Sequence, residues 1–204
     1  MEGKDKAVGQ VVIVTSSVKG EGKTLLSFNL SVAYASLNKK VLLIGADLRN
    51  PQLHNFYNIS VNRKGLSDYL NDPGMNWKDC VVPSGSDNPT LEVCFGGSIP
   101  PNTPQLLSSP AFEQFITAAK KEFDYIVVDT APTMLVTDTL LISKFADATV
   151  FVTRSGQTDK RLLEFSKNLF KTKKLKNMAF VVNGVGNGKA KGYNYGYGYG
   201  YGGE

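Results

Sequence analysis

The segment Ser17-Val-Lys-Gly-Glu-Gly-Lys-Thr24 constrains this chain more than any other. It follows an apolar, β-branched run, Val11 to Val14, and precedes a stretch in which Leu26, Leu30, Ala33 and Leu37 recur at helical spacing. The spacing predicts a helix over about Lys23 to Leu37 with those four residues on its buried face, and the run predicts a buried strand. A strand feeding a helix through a glycine-rich turn is the setting of a phosphate-binding loop. Gly20 and Gly22 let the backbone curl until successive N–H groups converge on phosphate oxygens. The helix start adds its positive dipole end. In this reading Lys19, Gly20, Glu21, Gly22, Lys23, Thr24 and Leu25 surround ATP. Lys23 reaches the β- and γ-phosphates, and the Thr24 hydroxyl ligates Mg²⁺. Ser17 stands where G-x-x-x-x-G-K-[ST] has its first glycine. A Rossmann dinucleotide loop fits less well, because its third glycine would be Leu25.

Further along, short Val/Ile-rich runs alternate with helical stretches. Strands are predicted at Val41–Ile44, Leu91–Phe95, Tyr125–Val128, Ala148–Thr153 and Met178–Val182. Helices are predicted near Leu66–Leu70, from Pro110 (after Ser109 as N-cap) to Glu122, and over Thr139–Phe145 and Asp159–Lys173. Alternation of this kind implies parallel βαβ units, and near-continuous β-branched strands imply that both sheet faces are covered. The expected fold is therefore α/β, of the P-loop NTPase type, with a mostly parallel sheet and helices on both faces. A body of residues 1–185 is followed by a flexible Gly/Tyr-rich tail, residues 186–204.

Composition mainly excludes. No apolar run approaches the roughly 20 residues needed to span a bilayer, and the polar MEGKDKAVGQ start lacks a signal-peptide core. Cys80 and Cys94 lack metal-ligand spacing and are expected to be reduced thiols. The net charge is +5, with lysines gathered between Lys160 and Lys176, which reads as a solvated helix face. His54 reads as an ordinary loop histidine, and Trp77 carries no motif.

Two further segments carry chemistry. Ile126-Val-Val-Asp129-Thr-Ala-Pro132 delivers Asp129 at the carboxyl end of a strand, the edge at which open parallel sheets bind ligands. Asp129 would hold Mg²⁺ beside the loop, directly or through water. Val41-Leu-Leu-Ile-Gly-Ala-Asp47-Leu-Arg49 delivers a second carboxylate and an arginine in the same manner.

These motifs together resemble the cytoplasmic kinase domain of the bacterial tyrosine kinases, P-loop autokinases of capsule and exopolysaccharide export. The likeness includes GLSDYL at Gly65–Leu70, GSIPPNTPQLL at Gly97–Leu107 and VVDTAPTMLVTD at Val127–Asp138, and it ends in a tyrosine cluster. It implies that Lys23, Asp47 and Arg49 are catalytic and that Thr24, Asp47 and Asp129 serve the metal. Asn183 resembles a position that contacts adenine in related proteins; a turn-forming role before Gly184 is the alternative. Asp138 is read as a helix N-cap or a neighbour of the nucleotide, and Arg154 as a residue facing it. The resemblance further implies a ring-type homo-oligomer, transfer in trans, a transmembrane activator, a tyrosine phosphatase, a site at the inner face of the membrane, and no nucleic acid. Gly45 stands where the family's D-x-D-x-R motif has its first aspartate, and the family's arginine-containing upstream helix has no counterpart in this sequence.

The acceptor would be the tail, where Tyr193, Tyr195, Tyr197, Tyr199 and Tyr201 are each separated by one Asn or Gly. Each phosphate adds about −1.5 to −2 charges, so five would more than reverse the net +5. The competing expectation is a nucleotide-switch ATPase of the chromosome-partitioning or division-site type. That relative carries a signature lysine five residues before the loop lysine, where this chain has Val18. Eukaryotic-type kinase chemistry is excluded, since H-R-D, D-F-G and G-x-G-x-x-G-x-V are all missing.

Overall fold

The β-branched runs become the central strands, and the segments between them become covering helices. The computed structural model describes residues 8–57, 63–72, 74–134 and 136–186. The strands are β1 (Gln10–Ser16), β2 (Val41–Gly45), β3 (Val81–Pro83), β4 (Leu91–Cys94), β5 (Tyr125–Asp129), β6 (Ala148–Arg154) and β7 (Met178–Asn183). The helices are α1 (Lys23–Ser36), α2 (Leu66–Asn71), α3 (Thr103–Leu107), α4 (Pro110–Glu122), α5 (Asp138–Ile142) and α6 (Lys160–Lys171). Residues 187–204 of the proposed tail, Tyr193 to Tyr201 among them, lie outside the described residues.

All strands join one sheet in the order β3-β4-β2-β5-β1-β6-β7, parallel throughout except for the antiparallel β3–β4 pair. Side chains alternate across it, as strand geometry requires. Val11 and Ile13 of β1 join Leu42, Ile44, Ile126 and Val128 in a core under α4. Val14, Leu43, Val93 and Val127 face the opposite way, toward α1. Central strands with buried apolar residues on both faces explain the near-continuous Val/Ile/Leu content.

Helix α1 lies where expected but turns a different face inward. Its buried row is Lys23, Ser27, Ser31 and Ala35, while Leu26 and Leu30 only flank the core and Leu37 is exposed. Small serines let the helix sit close against the sheet. Their hydroxyls turn back onto the helix: Ser31 donates to the Ser27 carbonyl at 2.8 Å, and the Ser27 hydroxyl, 3.0 Å from the Lys23 carbonyl, shares its proton between that carbonyl and Asp129. The apolar spacing alone therefore pointed about one residue away from the true contact line.

Two elements were not legible locally. β3 is a three-residue edge strand containing Pro83, a residue tolerated only at such an edge. α3 lies within the GSIPPNTPQLL stretch, where no helix is predicted, and it buries Thr103, Leu106 and Leu107. Trp77, which carries no motif, is a packing residue, edge-on to Phe115 and Phe123.

Candidate active site

The sheet brings the three chemistry-bearing segments to one edge because β5 lies between β1 and β2. Asp129 is in register with Val14 of β1 and with Gly45 of β2. The loop after β1 is anchored to the loop after β5: Thr133 N–H donates to the Ser16 carbonyl at 2.9 Å and Met134 N–H to the Ser17 carbonyl at 3.2 Å.

Gly22 precedes α1 in the left-handed region, with φ 98°, and no side chain caps the first turn. That turn carries no acidic residue either, so its N–H groups and dipole end are available to an anion. Lys23 is buried, 7% exposed, and among the described residues it makes no ion pair within 4 Å. The Ser17 hydroxyl is also buried without a hydrogen-bond partner. A buried ammonium and unused donors around a glycine turn fit the phosphates of a nucleotide.

Asp129 faces this turn from β5. The Thr24 and Ser27 hydroxyls donate to its carboxylate, Ser27 at 3.3 Å. Burial pushes its pKa up to about 6, and the nearby Asp47 charge adds to the rise, while Thr24, Lys23 and Ser27 oppose it. Asp47 is half-buried and is likewise shifted upward, first by burial; the Asn50 N–H and Lys23 act against the shift, and Asp138 acts with it. Two mutually destabilised carboxylates beside a serine/threonine hydroxyl form a donor set suited to Mg²⁺.

Arg49 does not point alone into the site. Its Nε donates to Asp138 Oδ2 at 2.6 Å and its second terminal nitrogen to Oδ1 at 3.2 Å. Asp138, in the first turn of α5, is therefore an ion-pair partner that ties the loop after β2 to the segment after β5.

Beside Asp47 and Asp129 opens a cavity of about 130 Å³ with apolar walls, among them Leu53, Phe95 and Ile99. Gly45 lies at its lining, and His54 and Arg63 border it. The Phe95 wall is braced by an aromatic chain, in which Tyr57 stands edge-on to both Phe28 and Phe95. Sequence reasoning missed this cavity because its walls come from loops after separate strands.

On the outer side of the phosphate loop, Asn183 Nδ2 donates to the Glu21 carbonyl at 3.0 Å, and Arg154 donates to the Gly20 carbonyl at 2.9 Å. The Glu21 carboxylate is wholly buried; it accepts from Val18 N–H at 2.8 Å and from the Thr158 hydroxyl. Lys19 and Leu25 sit on the exposed flank of the loop. Thr158 and Gln157, which also touch the loop, carried no motif.

The fold and this edge define a P-loop protein of the nucleotide-binding α/β class. A family model described as an AAA domain matches residues 9–177. Tyrosine-protein kinase YwqD of Bacillus subtilis is 35% identical over 173 residues, covering 85% of this chain and 71% of that protein. The kinase domain of Escherichia coli tyrosine kinase ETK superposes with a TM-score of 0.82 at 28% identity, over 94% of this chain and 73% of that one. The Pyrococcus furiosus cell division ATPase MinD shares the fold, with a TM-score of 0.72 at 24% identity over 89% of this chain and 74% of that one. The chain belongs to the bacterial tyrosine-protein kinases, within the AAA-domain family.

Proposed function

We propose that this chain transfers the γ-phosphoryl group of ATP to tyrosine hydroxyls of its own C-terminal cluster, Tyr193 to Tyr201, from one subunit to the next. The observation that carries this reading is the apolar cavity beside Asp47 and Asp129. At about 130 Å³ it is well below the roughly 300–1,000 Å³ of a small-molecule site, so it suits one aromatic side chain rather than a nucleotide. A phenol entering it would bring its hydroxyl toward Asp47, while Lys23 and the loop N–H groups hold the phosphates on the other side of the carboxylates.

Phosphoryl transfer asks for positioning and charge stabilisation. Lys23 and the start of α1 supply positive charge, and the Arg49 guanidinium lies near Asp47. Thr24, Asp47 and Asp129 would hold Mg²⁺, which neutralises charge developing on the phosphates. Asp47 borders the cavity, and in this reading it orients the acceptor hydroxyl and takes its proton. The alternating glycines of the tail offer many registers to a site that reads little besides an aromatic ring.

The same reading extends to a ring-type homo-oligomer, a transmembrane activator, an opposing tyrosine phosphatase and a role in exopolysaccharide or capsule export at the inner face of the membrane. No helix among the described residues is long and apolar enough to cross a membrane. The test is incubation of the chain with Mg-ATP, followed by mass spectrometry of the C-terminal peptide. Phosphate on the tyrosine cluster, absent from Lys23→Met, is the expected result. An unmodified tail together with ATP-stimulated co-sedimentation on DNA or liposomes would instead favour a nucleotide switch.

A further inference from the structure

Three consecutive carbonyls of the phosphate loop are held from behind by side chains. Gln157 Nε2 donates to Lys19 at 3.4 Å, Arg154 Nη1 to Gly20 at 2.9 Å and Asn183 Nδ2 to Glu21 at 3.0 Å. All three donors come from one corner, where β6 ends and leads into α6 and where β7 ends. A trans peptide places its N–H opposite its carbonyl. Carbonyls of Lys19, Gly20 and Glu21 drawn to that corner therefore turn the N–H groups of Gly20, Glu21 and Gly22 the other way.

The glycines of the loop face the same corner. Gly20 has φ 85° and Gly22 φ 98°. A Cβ on Gly22 would lie 2.1 Å from Asn183 Nδ2, and one on Gly20 would lie 3.0 Å from Gln157 Nε2. Side chains at these positions would displace the donors as well as strain the backbone. The buried Glu21 carboxylate fixes the first half of the loop through Val18 N–H, and Thr158 ties that carboxylate to the same corner. Asn183 is engaged at both ends of its amide, since its Oδ1 accepts from Gly184 N–H at 2.8 Å. An amide reading a base with donor and acceptor together would surrender both contacts.

We infer that Asn183, Arg154 and Gln157 are positioning residues for the triphosphate: they set the anion-binding N–H groups from behind, and Asn183 acts on the phosphates rather than on the base. The inference rests on nucleotide binding at this loop and not on tyrosine as the acceptor.

Titration calorimetry on the full chain tests it, with Mg-ATP, Mg-GTP and inorganic tripolyphosphate as probes. Asn183→Ala is expected to weaken all three by a similar factor, about tenfold, because preorganisation is lost equally for each. The ligand-free melting temperature should stay within a few degrees of the parent, which separates loop positioning from general loss of structure. A loss confined to ATP would assign Asn183 to the base and overturn the inference, and so would unchanged affinity for all three. Arg154→Ala, at an exposed position, should give the same uniform pattern and keeps the test decisive should Asn183→Ala fail to fold. A chain that binds these probes as expected but leaves its tail unmodified would refute the kinase reading while the inference stands.

Discussion

Arg49 grips Asp138 through two hydrogen bonds, 2.6 and 3.2 Å long, and the two partners differ sharply in exposure: 45% for the arginine side chain, 2% for the aspartate. The pair joins the loop carrying Asp47 to the segment that follows Asp129, so the two carboxylates of the site share one brace.

Removing the arginine leaves a buried carboxylate without its cation, whereas removing both partners does not. Arg49→Ala should therefore cost roughly 1–2 kcal/mol, below the fully buried value because the arginine is partly solvated. Arg49→Ala combined with Asp138→Asn should be more stable than Arg49→Ala alone. Urea denaturation of Arg49→Ala, Asp138→Asn and the double variant decides this, and strictly additive losses would contradict the brace.

Asp129 makes the ligand-free protein sensitive to pH. Its folded pKa is about 6 against an ordinary value of 3.8, so the folded state holds the proton more tightly than the unfolded chain. Stability from this group is fully present below about 3.8, falls as pH rises toward 6, and stays lost above that. Holding the carboxyl in its ionised form at neutral pH therefore costs the empty site roughly 2–3 kcal/mol. Asp129→Asn should raise the ligand-free melting temperature at pH 8 by a few degrees and flatten its dependence between pH 4 and 6. A lower melting temperature at pH 8 would show that the carboxylate, not its neutral form, suits the apo site.

Gly45 lies in register with Asp129 and lines the cavity. A Cβ there would sit 3.3 Å from Gly96 N and 3.4 Å from Leu53 Cδ2, tight but open to small adjustments. Gly45→Asp would place a third carboxylate beside Asp47 and Asp129. The expected result is a ligand-free stability lower by about 1 kcal/mol through like-charge repulsion, and a several-fold lower Mg²⁺ concentration for half-maximal autophosphorylation. An unchanged Mg²⁺ dependence would show that Asp47 suffices.

Much of this site was legible in sequence because each motif is local. A strand, two left-handed glycines and a helix start occupy fourteen consecutive positions, Val11 to Thr24, and backbone geometry alone ties them to an anion. Asp129 and Asp47 were legible for a similar reason, since each follows a strand of unmistakable composition. The covered face of α1 was not, because apolar spacing cannot reveal that Ser27 and Ser31 pack closest to the sheet.

What only the tertiary structure decided is which distant residues share an edge. The order β2-β5-β1-β6-β7 sets Asp47 and Asp129 side by side and brings Arg154, Gln157 and Asn183 behind a loop more than 130 positions away in sequence. The Arg49–Asp138 brace and the cavity beside Phe95 arise in the same way, from loops of separate strands meeting at one end of the sheet. The sequence by itself determined the phosphate loop and the carboxylates, because those depend on neighbouring residues. Their brace, the cavity beside them and the clamp behind the loop depend on strand order, which no local pattern encodes.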